Sequence, residues 1–170
     1  MTIDNAFTHF PSLTTARLRL RRLRATDAEA LFAIRSDPEV MESYGKEPYQ
    51  SLADAHAAIQ RLQGFYEQRE ALFWGITLKE VDTVIGSCTL WNFGPDFYYA
   101  EIGYELNRAY WRRGIAFEAV SALLTCGFTK LDLQRIEANV AAGNTRSTSF
   151  LRKLGFTYEG NLRQRQIFHG

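Results

Sequence analysis

Much of what directs function in other chains is scarce here. The 170 residues hold two cysteines, Cys88 and Cys126, both in apolar stretches and neither in a C-x-x-C pair. Two such thiols build no disulfide framework and are expected to be reduced and buried. The three histidines, His9, His56 and His169, are scattered, which leaves no zinc-ligand spacing. Opposite charges nearly cancel, to a formal +1 at neutral pH. No global field therefore recruits nucleic acid or an anionic membrane, and any anion site has to be local. No apolar run approaches the roughly 20 residues of a membrane-spanning helix. Met1 to Phe10 has neither a basic block nor an apolar one. A soluble, cytoplasmic protein is expected. Repeats and low-complexity tracts are missing as well.

What is present suits one compact α/β domain over residues 1–170. Hydrophobic residues make up 46% and aromatic residues 14%, ample for a core, and the 23% of charged residues is too few for a disordered chain. Arg17 to Leu23 alternates Arg with Leu, as a half-buried strand does. Thr26-x-x-Glu29 reads as a capping box opening a short helix through Ala30, Leu31 and Ile34, stopped by Asp37-Pro38. A second helix is expected over Ser51 to Arg69, with Ala55, Ala58, Ile59, Leu62, Phe65 and Tyr66 on one stripe. Leu72 to Leu78, Val84 to Trp91 and Tyr98 to Leu106 read as an antiparallel meander. Helices over Gly114 to Thr129 and Asn144 to Leu154 then alternate with strands over Arg135 to Val140 and Phe156 to Leu162. The expected architecture is a mixed sheet, antiparallel in front and strand–helix–strand behind.

Two stretches carry possible chemistry. In Glu101 to Ala116, EIGYELNRAYWRRGIA, a strand ends near Asn107 and a long helix opens at Gly114. Arg112-Arg113-Gly114-Ile115-Ala116 thus brings main-chain N–H groups to the positive end of a helix, with a glycine for close approach and two arginines for charge. That suits a pyrophosphate, although a helix start flanked by solvated arginines has the same spacing. The stretch is neither a P-loop nor a GxGxxG fingerprint. In Asn139 to Phe156, Asn144 is a good N-cap with Ser147 at N3, Arg152 and Lys153 lie in the last turn, and Gly155 ends the helix.

Taken together and in this order, the two stretches resemble the motifs of the GNAT superfamily of N-acetyltransferases, and more closely its RimJ/RimL branch, which acetylates protein N-termini. The resemblance runs from TTARLRLRRLRATDAEALF to LGFTYEGNLRQRQIFHG. Trp111-Arg112-Arg113-Gly114-Ile115-Ala116 stands where the superfamily has Gln/Arg-x-x-Gly-x-Gly/Ala, with Trp111 in the manner of the RimJ/RimL branch. The resemblance implies a GNAT-type α/β (α+β) fold, a mostly antiparallel twisted sheet flanked by helices with splayed central strands. It also implies acetyl-CoA as cosubstrate, and no metal. The pantetheine arm would run along Glu105, Leu106 and Asn107, flanked by Asn139 and Asn144, with the pyrophosphate on the loop from Trp111 to Ala116.

The resemblance also assigns roles. Glu101 matches the family's base on this strand, with Glu105, four residues on, as second choice. The tyrosine that many relatives carry in the last helix is replaced by Leu151. Ser147 then takes the RimL-like role of hydrogen-bonding the departing thiolate. An acidic residue that some relatives carry after the last helix is replaced by Gln166. Relatives add one more strand beyond a stretch like Arg165 to Gly170, so a final strand is expected to be missing from these 170 residues.

A modest carboxylate base suits an α-amine, which titrates near 7.7–8.0, better than a lysine amine near 10.4. The expected acceptor is a protein or peptide N-terminus. A small-molecule amine and a non-catalytic CoA-binding module are the alternatives. The acceptor groove is expected from the loops Met41 to Tyr49 and Asn92 to Tyr98. Their aromatic residues, Tyr44, Tyr49, Phe93, Phe97 and Tyr98, could instead form a homodimer contact.

Overall fold

A computed structural model describes residues 3–163. A short helix α1 (Ile3–Ala6) precedes strands β1 (Leu13–Thr14) and β2 (Leu18–Arg22). Three helices follow, α2 (Ala28–Arg35), α3 (Pro38–Tyr44) and α4 (Leu52–Glu67). The meander β3 (Ala71–Leu78), β4 (Val81–Trp91) and β5 (Tyr99–Leu106) leads into α5 (Ile115–Thr129), β6 (Arg135–Glu137) and α6 (Thr145–Lys153). The strands form one sheet in sequence order, β1 to β6. All neighbours are antiparallel except β5 and β6, which run parallel with α5 as their crossover.

The alternation that marks β2 buries Leu18 and Leu20, which join Trp74, Ile76, Leu90, Ile102 and Leu123 in the main core. Helix α5 packs there through Ile115, Ala119, Val120 and Leu123. A smaller cluster joins α2 to α4 through Ala28, Leu31, Ala55, Ala58 and Ile59. Cys88 and Cys126 are both buried and unbonded, and burial pushes both thiols above their ordinary range.

Three expectations need correction. The start of α2 is not capped by Thr26. A 3-10 turn (Ala25–Asp27) comes first, and the Asp27 carboxylate accepts from Arg24 N at 2.7 Å while pairing with buried Arg21 at 2.8 Å. Asp27 is the N-cap residue of α2 but makes no side-chain bond to that helix, its carboxylate serving the turn before it. The stop at Asp37-Pro38 also starts α3: Asp37 accepts from Glu39 N at 3.0 Å, and Pro38 needs no amide partner in a first turn.

Finally, Phe156 to Leu162 forms no strand among the described residues, because no neighbouring edge pairs with it. The Phe156 and Gly155 amides instead close the end of α6 by donating to Leu151 O and Arg152 O. The expectations for Gln166 and for a strand after Arg165 lie outside the described residues.

The sheet is tightest beside the end of β5. Gly86 on β4 faces Leu106, and a Cβ there would stand 2.6 Å from the Glu105 carbonyl oxygen and 3.1 Å from Leu106 Cα. Backbone cannot give way as a side chain can. Gly86→Ala is expected to cost about 1–3 kcal/mol. In urea unfolding this would appear as a lower midpoint at unchanged slope.

Candidate active site

Strand β6 leaves β5 early. The two pair at Tyr99–Arg135, Ala100–Ile136 and Glu101–Glu137, and β6 then ends while β5 continues to Leu106. The expected strand to Val140 is cut short by this divergence.

Hydrogen bonds at the two ends of β5 fix which way its amides point. Asn107 N donates to Ile85 O on β4 at 2.8 Å, so odd-numbered residues face β4. Gln134 N donates to Tyr98 O at 2.9 Å, so even-numbered residues face the β6 side. The main-chain groups of Tyr104 and Leu106 therefore look onto an edge where no strand lies among the described residues. Leu106 O accepts from Trp111 Nε1 at 2.7 Å. The Tyr104 groups are left for a ligand.

At the far end of this edge the chain makes two left-handed residues, Arg112 (φ 61°) and Gly114 (φ 72°), and α5 begins. Glycine adopts that conformation without penalty. Position in the first turn leaves the N–H groups of Ile115, Ala116 and Phe117 without intrahelical partners. Arg17 braces the loop, donating to Arg113 O at 3.0 Å and pairing with Glu118 at 2.6 Å. Arg112 and Arg113 are exposed, and the Arg113 guanidinium lies 5.6 Å from the Tyr110 ring centre. Unpaired donors, a positive helix end and two exposed arginines make a donor set that fits a pyrophosphate.

Across the gap stands α6. Asn144 Oδ1 accepts from Ser147 N at 3.0 Å, the cap expected from sequence. Ser147 Oγ lies 2.5 Å from the Tyr104 hydroxyl, and the Tyr104 ring is 4.9 Å from that of Phe150. Arg146 stacks over Trp111 at 4.5 Å, tying α6 to the loop. Asn139 is exposed just past β6. The Asn107 side chain faces its own turn and accepts from Ala109 N at 3.0 Å. Its side chain is thereby committed locally.

The two carboxylates proposed as bases differ sharply. Both are buried on the same face of β5, with Gly103 between them, where the Tyr44 hydroxyl lies 3.1 Å from the place of a Cβ. Glu105 is fully engaged: Arg35 pairs with it at 2.8 Å, and Ser87 Oγ donates to it at 2.7 Å. Arg35 also donates to the Tyr49 hydroxyl at 2.9 Å. Burial works against the Arg35 charge, but Glu105 more than offsets it and holds the guanidinium above its ordinary value. Burial and then the Glu105 charge push the Tyr44 phenol up. Glu101 has one partner among the described residues, Asn92 Nδ2 at 3.3 Å. Glu105 is thus committed to Arg35 and Ser87, whereas Glu101 is the less engaged of the two among the described residues.

Of the loop aromatics, only Tyr44 and Tyr49 border this face. Phe93 and Phe97 turn inward onto Phe7, at 5.8 and 6.4 Å. Sequence reading missed Arg35, Ser87 and Tyr104, whose partners lie 70, 18 and 43 residues away. No local pattern marks such pairs.

The contrast between the carboxylates has a measurable consequence. Glu105→Ala strands a buried guanidinium and is expected to destabilise by about 3–5 kcal/mol. Glu101→Gln removes no ion pair and should stay within about 1 kcal/mol, the size of an ordinary hydrogen bond. Parallel urea titrations of the two variants measure the difference.

Residues 17–157 match the family model "Acetyltransferase (GNAT) domain". The chain is 38% identical over 161 residues to the uncharacterized N-acetyltransferase YoaA of Bacillus subtilis, covering 95% of this chain and 91% of that one. It is 25% identical over 167 residues to the [ribosomal protein uS5]-alanine N-acetyltransferase of Escherichia coli, covering 93% and 84%. Among solved structures, the fold matches RimL, a ribosomal L7/L12 alpha-N-protein acetyltransferase in complex with coenzyme A. The TM-score is 0.81 over 94% of this chain and 92% of that one, at 20% identity. Fold, loop and sequence agree: the chain belongs to the GNAT family of N-acetyltransferases.

Proposed function

We propose that the chain binds acetyl-CoA along the open edge of β5 and transfers the acetyl group to the α-amine of a protein or peptide N-terminus. The observation that carries this reading is the early end of β5–β6 pairing beside the left-handed turn into α5. An extended, neutral pantetheine needs main-chain partners, which the Tyr104 N–H and C=O and the Leu106 N–H offer. A pyrophosphate needs unpaired N–H groups and positive charge, which the loop from Trp111 to Ala116 supplies.

Acetyl-CoA would supply an activated acyl carbon and a thiolate leaving group. The protein's share is alignment and proton handling. Glu101, buried with a single long hydrogen bond among the described residues, accepts the ammonium proton, directly or through water. Ser147, held by the Asn144 cap, presents its hydroxyl to the leaving sulfur. Tyr44 and Tyr49 form the acceptor side, backed by the Arg35–Glu105 pair. An α-amine gives up its proton more readily than a lysine amine and so suits a lone carboxylate. The similarity to the uS5-alanine enzyme points the same way.

Two measurements test this reading. Acetyl-CoA and desulfo-CoA at ~100 times their dissociation constants should stabilise the fold by about 2.7 kcal/mol, while NADH and ATP should not. Glu101→Gln should lower kcat on N-terminal peptides by about 10²–10⁴-fold with CoA binding retained. Turnover on polyamines or amino sugars alone would move the acceptor to small amines.

A further inference from the structure

The phenol that the last helix lacks is supplied from the sheet. Leu151, where relatives carry a tyrosine, is buried at 6% exposure and has no polar side-chain group to offer. One turn earlier, Ser147 Oγ meets the Tyr104 hydroxyl at 2.5 Å. The Tyr104 ring is fixed against Phe150 and half-buried, and the Ser147 backbone is fixed by Asn144. Neither hydroxyl is free to wander.

Either hydroxyl can donate in this bond, and the occupant of the gap decides which does. Among the described residues neither hydroxyl has a second acceptor, so both protons are satisfied only when a ligand accepts one of them. With an acceptor on the gap side of Ser147, Tyr104 donates to Ser147 Oγ and the Ser147 proton turns to that acceptor. Burial raises the Tyr104 phenol above its ordinary range, against the opposing effect of the Ser147 bond, so it remains a donor throughout the neutral range.

We propose that Tyr104 is a positioning residue for thioester cleavage: by donating to Ser147 Oγ, it aims the Ser147 O–H at the leaving sulfur. The inference rests on the acetyl-CoA reading above. The amine nitrogen bonds to the acyl carbon and the C–S bond breaks, its electron pair passing to sulfur, where Ser147 meets the charge with a hydrogen bond. Both hydroxyls keep their protons. One ammonium proton leaves before attack on the opposite face of β5, toward Glu101, and the second, lost from nitrogen as the amide forms, passes through water to the sulfur. A donor that is itself accepting a hydrogen bond is the stronger for it.

The test compares binding of CoA with binding of desulfo-CoA, which lacks the sulfur, by calorimetry at pH 9, alongside steady-state kinetics. Wild-type protein, Tyr104→Phe, Ser147→Ala and the double variant are measured. The expected result is a wild-type preference for CoA of about tenfold or more, the size of one charge-assisted hydrogen bond. Tyr104→Phe should lose most of it and Ser147→Ala all of it, with the double variant matching Ser147→Ala. Desulfo-CoA affinity and thermal midpoint should change little, and kcat should fall while KM for acetyl-CoA holds.

A wild-type preference retained in Tyr104→Phe overturns the inference, as does a double variant weaker than Ser147→Ala, since Tyr104 would then act independently. Wild-type protein that binds neither ligand overturns the acetyl-CoA reading itself.

Discussion

The structure turns on the point where two parallel strands part. Strand β6 pairs with β5 for three residues and stops at Glu137, leaving the second half of β5, among the described residues, with one paired edge and one bare edge. An unpaired edge is ordinarily a liability, open to any passing strand. Here it is guarded on three sides. Trp111 takes the Leu106 carbonyl, α6 leans on Tyr104, and the α5 N-terminus closes the far end. What remains are the main-chain groups of Tyr104 and the Leu106 N–H, facing the gap.

The two faces of β5 then divide the labour. Odd residues point Glu101, Gly103 and Glu105 toward α2 and α3, and even residues point Ile102, Tyr104 and Leu106 toward the main core. In the proposed reaction, proton removal falls to one face and stabilisation of the leaving group to the other, with the reacting bond at the edge between them. The Arg35–Glu105 pair supports this division. Two buried charges contribute little net stability, but removing either one exposes the full desolvation cost of the other. The pair fixes α2 against β5.

Local grammar was legible in the sequence where one stretch carries it. The β2 alternation, the α4 stripe and the Asn144 cap appear within two residues of expectation, as does the meander except that β4 starts at Val81, three residues before Val84. The loop from Trp111 to Ala116 was legible because its chemistry is consecutive. The Thr26 cap failed because Asp27 was held by Arg21, a partner the turn itself does not reveal. Helix α3 was hidden behind a proline read only as a stop. The strand from Phe156 was expected from composition, but a strand needs an edge to pair with, and composition does not say where edges lie. Glu105 was eligible as a base until Arg35, 70 residues away, appeared beside it.

The most direct measurement is amide hydrogen exchange along β5, with and without desulfo-CoA, read residue by residue by NMR. If the bare edge is filled as argued, the amides of Tyr104 and Leu106, which face the gap, gain protection on ligand addition. Those of Gly103 and Glu105, already paired with β4, change little. Protection confined to the α5 N-terminus, with Tyr104 and Leu106 unchanged, would contradict the claim that the bare edge of β5 is the binding surface.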